Sequence, residues 1–585
     1  MRADLHDPVV LKIFWQRLIS VTDEQSTTLI RTAFTPMVRD TEDLSAGVFD
    51  VRGRMIAQSV TGTPGHINSM ATGMKHFLEV YPPHTLDPGD VLITNDPWFT
   101  SGQLNDFTVT TPVFKATTLV GFFANTCHAT DIGGLPLSAD ARDMYEEGLY
   151  LPIMKLYRRG EPNEDLFNIL KGNVRTPTPV LGDLHAQVAC NDVGARRLVG
   201  LLDEFGFEDL EEAGTIITQR SEDAMRRAIK ALPDGVYASD VWADGYDEPV
   251  QLKACVTIRG DELTVDYEGT SPQSRRGINV VLNYTKAYTT FAIKAAVSPD
   301  VPNNDGSFRP VHVTAPVGCI LNPRRPAAVA ARAILGHFLP SVIFRALRPI
   351  LGERAMAAGA DSIWLVTVHG QMESGDDFTY AFPVMGGMGA RAYKDGLSTT
   401  GFPSGVAGTP TEVTENQTPI LVYKRQVRID SGGPGARRGG LGQVVEMGVQ
   451  SPSDYAIGVT CDRTQFAAEG VAGGQNGALA RTTLDGGEPI NLKSTHRVSA
   501  QRRVVMELPG GGGFGSPLVR DPAAVLNDVL QGYVSLHAAK EQYGVVIDML
   551  APPDELVIMP GDYRLDEAAT SDLRAAMQAK AGGDS

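Results

Sequence analysis

The residues best suited to moving protons or holding a cation lie in the first third of the chain. Asn95-Asp96-Pro97-Trp98 follows a strand-like segment, Gly102-Gln103-Leu104-Asn105 leads into Asp106, and Cys127-His128-Ala129-Thr130-Asp131-Ile132-Gly133-Gly134 ends another. A divalent metal needs imidazole and carboxylate ligands converging from rigid elements, with one position left for water or substrate. His128 and Asp106, at the ends of neighbouring strands, can supply that. They equally fit a plainer role, Asp106 capping a turn and His128 a satisfied core histidine, and spacing alone leaves both readings open. Arg39-Asp40-Thr41-Glu42-Asp43-Leu44-Ser45 sets three carboxylates before a strand, as an extra ligand, a general base or an exposed capping loop. His66, just ahead of a helix, can meet a substrate oxygen or pack at the helix start. His76, His84, His185, His312, His337, His369, His496 and His537 have no partner at ligand spacing and read as structural or surface residues. No Ser-His-Asp signature and no G-x-S-x-G elbow occurs.

Two glycine motifs resemble nucleotide loops. Gly510-Gly511-Gly512-Gly513-Phe514-Gly515 satisfies G-x-G-x-x-G after an apolar strand, yet no βαβ unit with a later acid frames it, so it reads as a tight structural turn. Ser431–Gly442 lacks the Lys-Ser/Thr end of a P-loop. Its Arg437-Arg438 pair and bare amides can hold an anion, but a turn shaping a β-domain fits better. Neither gives the chain an ATP site of its own.

The elements that must position these residues follow from periodicity. Asp7–Phe34 repeats apolar residues at helical spacing, Val48–Ala57 reads as a hairpin about Arg52-Gly53, and a helix is expected near Asn68–Val80. Asp90–Thr94, Phe107–Phe114 and Leu119–Thr126 read as strands and Asp192–Leu232 as helical. After Pro233-Asp234-Gly235 the period switches to two over Val236–Tyr246, Gln251–Arg259 and Glu262–Glu268, an antiparallel meander. Helices are expected at Tyr284–Val297, Ala327–Leu347 and Pro522–Tyr543, and a loose tail from about Thr570.

At 585 residues, and about 100–200 per domain, the chain should hold several cores. Its 52 Lys and Arg against 69 Asp and Glu give a net charge of −17, which disfavours nucleic acid and anionic membranes as partners. Five scattered cysteines suggest neither a zinc module nor a disulfide framework. The acidic N-terminus lacks an apolar leader core, and no run reaches the roughly 18 apolar residues of a membrane span, so a cytoplasmic protein is expected.

The ordered blocks resemble the B-type subunit of the hydantoinase B/oxoprolinase family, which also contains acetone and acetophenone carboxylase and caprolactamase subunits. The resemblance runs nearly end to end. It rests on Phe34–Phe49 with Gly53–Gln58, Asn95 through Asp106, His128–Gly134, Gly386–Arg391, Asp430–Gly435, Gly439–Gly442, Pro509–Gly515, Gly532–Ser535 and Tyr543–Val546. It implies a partner A-type subunit that binds ATP and phosphorylates the substrate's amide or enolate oxygen, while the B-type subunit supplies a divalent metal site. The family's metal ligands resemble a His, Asp, His set whose last two members fall here on Asp106 and His128. The first falls on Gln103, a neutral and weaker ligand that shifts the expected metal toward Mn²⁺ or Mg²⁺ over Zn²⁺, or leaves the site weak or empty. Asp43 is a possible further ligand, and Asp131 is expected to orient His128.

The expectation is a large α+β chain. Its parts are an N-terminal α/β domain over 1–232 with the metal site, a meander with helices over 233–380, a Gly-rich β domain with a C-terminal helix over 381–569, and a tail over 570–585. The expected activity is cyclic amide hydrolysis within an ATP-dependent hetero-oligomer: Gln103, Asp106 and His128 at the metal, Asp43 and His66 handling protons. A ketone carboxylase subunit and a noncatalytic assembly subunit are the alternatives.

Overall fold

A computed structural model describes residues 4–550 and 560–583. The chain folds as mixed α and β layers. The first sheet has seven antiparallel strands in the order β2-β1-β5-β4-β3-β6-β7. These are β1 (Leu44–Phe49), β2 (Met55–Gln58), β3 (Val91–Thr94), β4 (Asp106–Lys115), β5 (Thr118–His128), β6 (Met154–Arg158) and β7 (Glu161–Pro162). Side chains alternate across a strand, so Phe123 enters the core with Leu198 and Leu202 of the helix Pro177–Phe205. Phe122 and Ala124 go to the other face, against Met70, Met74 and Phe77 of the helix Pro64–Val80. With helices on both faces, β1 and β3 are buried throughout, as a covered sheet requires.

The N-terminal helix spans Pro8–Thr32, capped by Asp7, whose carboxylate accepts from the Val9 amide. The meander forms β8 (Gly235–Ala243), β9 (Val250–Arg259) and β10 (Glu262–Asp266), and β11 (Val311–Thr314) adds parallel to β10. The helices Leu282–Val297 and Leu339–Leu351 share its core. The apolar stretch Ala333–Arg354 has the length and mean hydropathy (1.3) of a membrane span, but it is 78% buried in this core. Nine further strands are β12 (Trp364–Gln371), β13 (Asp377–Val384), β14 (Ile420–Val427), β15 (Gln443–Val449), β16 (Tyr455–Val459), β17 (Arg481–Leu484), β18 (Glu488–Pro489), β19 (His496–Val498) and β20 (Val504–Glu507). A four-stranded sheet (β13-β12-β16-β19) and a five-stranded one (β14-β15-β20-β17-β18) enclose a third core.

Four expectations are corrected. A boundary at 380 cuts through β13 (Asp377–Val384), and β12 (Trp364–Gln371) pairs with β16 (Tyr455–Val459), so the C-terminal region takes in both strands. The helix expected over Ala327–Leu347 begins only at Ala333, leaving Ala327–Arg332 irregular. Pro522–Tyr543 is two helices, Pro522–Leu530 and Leu536–Tyr543, parted at Gly532, whose φ of 68° only glycine adopts without strain. The tail from Thr570 is helical over Glu567–Gly583 and docked: Thr570 is buried, and Arg574 donates to the carbonyls of Tyr543 (3.0 Å) and Arg520 (2.7 Å). Residues 584–585 of that tail lie outside the described residues.

Candidate active site

Three strand ends set the site. Asp106 begins β4 directly opposite His128, the last residue of β5, and the His128 amide donates to the Asp43 carbonyl just before β1. Directly paired residues share a face, here the one covered by the helix Pro64–Val80. Pro64 starts that helix and places His66 in its first turn, above the strand ends. Asp106 is fully buried, and Gln103, His128 and His66 are 4%, 2% and 2% exposed.

Both oxygens of Asp106 are occupied. Oδ1 accepts from Gln103 Nε2 at 2.6 Å and lies 3.1 Å from His128 Nδ1; Oδ2 accepts from Arg332 Nη2 at 2.6 Å and lies 3.1 Å from His66 Nε2. Gln103 Nε2 also stands 2.9 Å from His128 Nδ1. Burial would raise the Asp106 carboxyl, but the His66 and Arg332 charges, with hydrogen bonds from His128 and His66, hold it well below the usual carboxylate range. It is a carboxylate at neutral pH. Burial would lower the His66 imidazole, but Asp106 and Asp43 carry it above its ordinary value. Burial, then repulsion from Arg332 and His66, pulls His337 down to about 3, so that ring is neutral.

Two ring nitrogens are left over. His66 Nδ1 and His337 Nδ1 are buried with no hydrogen-bond partner among the described residues. Both histidines line a cavity of about 60 Å³, with Asp43, Thr63, Gln103, His128 and Arg332 on its polar side. Ile363, Leu365, Pro383 and Val406 line it from the C-terminal region. Three parts of the chain thus meet there, a common place for a ligand site. Asp43 Oδ1 accepts from Thr63 Oγ1 at 3.2 Å and stands 3.6 Å from His66 Nδ1, too far for a bond. Once His66 has given up its second proton and keeps Nε2–H toward Asp106, its Nδ1 and Asp43 Oδ1 are two acceptors at a separation that suits one polar hydrogen-bearing group between them. A base so held can take a proton from it.

The residues expected to ligate a metal do meet, but as a hydrogen-bonded set. Gln103 Nε2 lies against both the carboxylate and the imidazole, and among the described residues no group of three or more His, Cys, Asp and Glu side chains could hold a metal ion. These donors and acceptors, as arranged, do not fit a divalent cation. Asp131 does not orient His128: its carboxylate accepts from the Gly133 amide (3.1 Å), Arg175 Nη1 (2.7 Å) and the Arg175 amide. Asn95 and Asp96 hold loops. The Asn95 amide bonds the carbonyls of Leu104 and Leu149, and Asp96 pairs with Arg325.

Arg332 and His337 were missed. Arg332 is the one charge in the apolar run Ala327–Leu335, and a charge in such a run must find a partner, a signal that was available. It is 3% exposed, donates through Nε to the Ser101 carbonyl and lies 4.2 Å from the Tyr284 ring centroid. His337 packs edge-on against Tyr288 at 5.2 Å. Its distance in sequence from Asp106 left nothing to find it by.

The family profile for hydantoinase B/oxoprolinase matches residues 7–517. The B-type chain of a putative D-/L-hydantoinase from Pseudomonas sp. (strain NS671) is 32% identical over 92% of this chain and 95% of its own length. The beta chain of the Pseudomonas jessenii caprolactamase is 32% identical over 97% and 99%. A chain of the ATP-dependent caprolactamase crystal structure from that organism superposes with a TM-score of 0.87 at 30% identity, covering 97% of this chain and 99% of that one. A chain of nucleotide-free acetone carboxylase shares the fold at a TM-score of 0.83 and 20% identity, covering 99% and 84%.

Proposed function

This chain belongs to the hydantoinase B/oxoprolinase family, and from that premise we propose that it is the B-type subunit of an ATP-dependent cyclic amide hydrolase. Its partner, an A-type subunit, binds ATP and phosphorylates the amide oxygen of a lactam or hydantoin-like ring. This chain then opens the activated ring with water in the cavity beside His66. The reading is supported by near full-length similarity to the B-type chain of a hydantoinase and to the beta chain of a caprolactamase, the latter an ATP-dependent enzyme.

One observation carries it: His66 Nδ1 faces a buried cavity with no bonding partner among the described residues, while Nε2 lies against Asp106. Asp106 fixes the tautomer of the unprotonated ring, as the carboxylate of a His–Asp pair does, so in that form the Nδ1 lone pair points where water attacks. Against burial, Asp106 and Asp43 raise its pKa, which makes the ring a stronger base. His66 takes a proton from that water and returns it to the ring nitrogen as the C–N bond breaks, and Asp43 orients the attacking water from its other side. This leaves an acyl phosphate that a second water hydrolyses to carboxylate and inorganic phosphate. A cavity of about 60 Å³ has room for water and none for a ring, so the side chains that line it shift to admit substrate. The five cysteines are free, in keeping with a cytoplasmic setting.

The test is turnover by the chain with its ATP-binding subunit on a panel of lactams, hydantoins and ketones, with and without bicarbonate. Ring opening coupled to phosphate release, and indifferent to bicarbonate, is expected. Ketone consumption that requires bicarbonate would overturn the reading in favour of a carboxylase.

A further inference from the structure

We infer that this chain binds no divalent metal between Asp106 and His128, because Gln103 and Arg332 have taken over what a cation would do there. A metal bound by both would stand about 2.0–2.2 Å from each donor atom. That place is filled: Gln103 Nε2 is 2.6 Å from Asp106 Oδ1 and 2.9 Å from His128 Nδ1. The amide nitrogen donates to Asp106 Oδ1, and His128 Nδ1, which hydrogen-bonds to the same oxygen, packs against it. Turning the amide over would set its oxygen 2.6 Å from the carboxylate oxygen, so that contact fixes the nitrogen inward.

Charge points the same way. A divalent cation serves such a site by neutralising the buried carboxylate, and Arg332 already does this through Nη2, 2.6 Å from Oδ2. The guanidinium is 3% exposed and tied down by the Ser101 carbonyl and the Tyr284 ring, so it cannot swing aside. A cation on the other carboxylate oxygen would face this fixed charge at close range in a site of low dielectric. The inference stands whether the complex opens amides or carboxylates ketones, since it concerns only what holds Asp106.

The experiment is elemental analysis of the full chain, purified with its ATP-binding subunit from medium supplemented with Mn²⁺ and Zn²⁺, together with Co²⁺ titration followed by visible absorption. The wild type is expected to carry far less than one metal per chain and to give no ligand-field bands. Gln103→His combined with Arg332→Leu supplies a third ligand and removes the competing charge, and should gain about one metal per chain with tetrahedral Co²⁺ bands. Stoichiometric metal in the wild type, lost in His128→Ala, would overturn the inference. A soluble double variant that gains none would equally overturn the assignment to these two residues. Should the variant not fold, the wild-type measurement still decides.

Discussion

Two regions of this molecule place many polar groups close together, and they do so by opposite means. In the cluster beneath the helix Pro64–Val80, Gln103, His128, His66 and Arg332 occupy both oxygens of Asp106, and two ring nitrogens turned to a cavity are left without a partner among the described residues. In the glycine-rich segments near 386–390, 430–442 and 509–515, backbones run so close that nothing larger than hydrogen fits, and the amides bond neighbouring carbonyls. Every amide from Gly510 to Gly515 does so, donating to Ala478, Gly440, Ala358, Gln475, Arg437 and Val471 in turn. The run that matches a dinucleotide motif thus has no free N–H with which to cradle a phosphate. Polar density by itself does not mark a ligand site; what distinguishes one is a buried group left over and facing space.

The largest expected effect tests the backbone-built region. A Cβ at Gly387 would stand 1.8 Å from the Gly440 carbonyl oxygen, and one at Gly510 1.7 Å from that of Ser431. Such contacts are excluded, as at the axis of collagen. Gly387→Ala and Gly510→Ala should each cost more than roughly 3 kcal/mol, read as insoluble protein or a collapsed thermal midpoint. Normal folding of either would mean the segments are looser than described.

A smaller effect is expected where side chains carry the structure. Glu147 accepts from the Ala330 amide at 2.7 Å and from the Val329 amide, tying the first region to the stretch that bears Arg332. Burial pushes its carboxyl up to about 8. Because the folded form keeps a proton that the unfolded form has lost, this group makes the protein less stable as pH rises from about 4.5 to about 8, with no further loss above. Glu147→Gln should remove that slope and raise stability at pH 8 by on the order of 2 kcal/mol, checked by thermal midpoints across pH. An unchanged slope would place the titration elsewhere.

The smallest effect is a control. Gly200 is an exposed residue of the helix Pro177–Phe205, and a Cβ there meets nothing within 4 Å. Gly200→Ala should stabilise by about 0.5–1 kcal/mol, which confirms that the penalty at Gly387 comes from crowding and not from glycine content.

Much of this was legible in the sequence, for physical reasons that also explain the failures. The β-prone runs Phe107–Phe114 and Leu119–Thr126, parted by a loop at Lys115-Ala116, gave β4 and β5, and the register then sets Asp106 opposite His128. The acid block before β1 gave Asp43. An Ala- and Val-rich run carries no period of its own, which is why Ala327–Arg332 read as helix although it is irregular wall. Arg332 and His337 reach Asp106 and His66 only through the packing of one region on another, which no local pattern encodes. The boundary at 380 failed for a related reason: β12 and β13 form a hairpin whose other partner, β16, comes more than 70 residues later.

The most direct test of the account is His66→Gln in the full complex with a lactam or hydantoin it turns over. A glutamine can still donate toward Asp106 but has no nitrogen that accepts a proton. ATP-dependent phosphorylation of the ring in a single turnover should proceed as in the wild type, while ring opening slows by roughly 10²- to 10⁴-fold. Ring opening at the wild-type rate would contradict the assignment of His66 as the base.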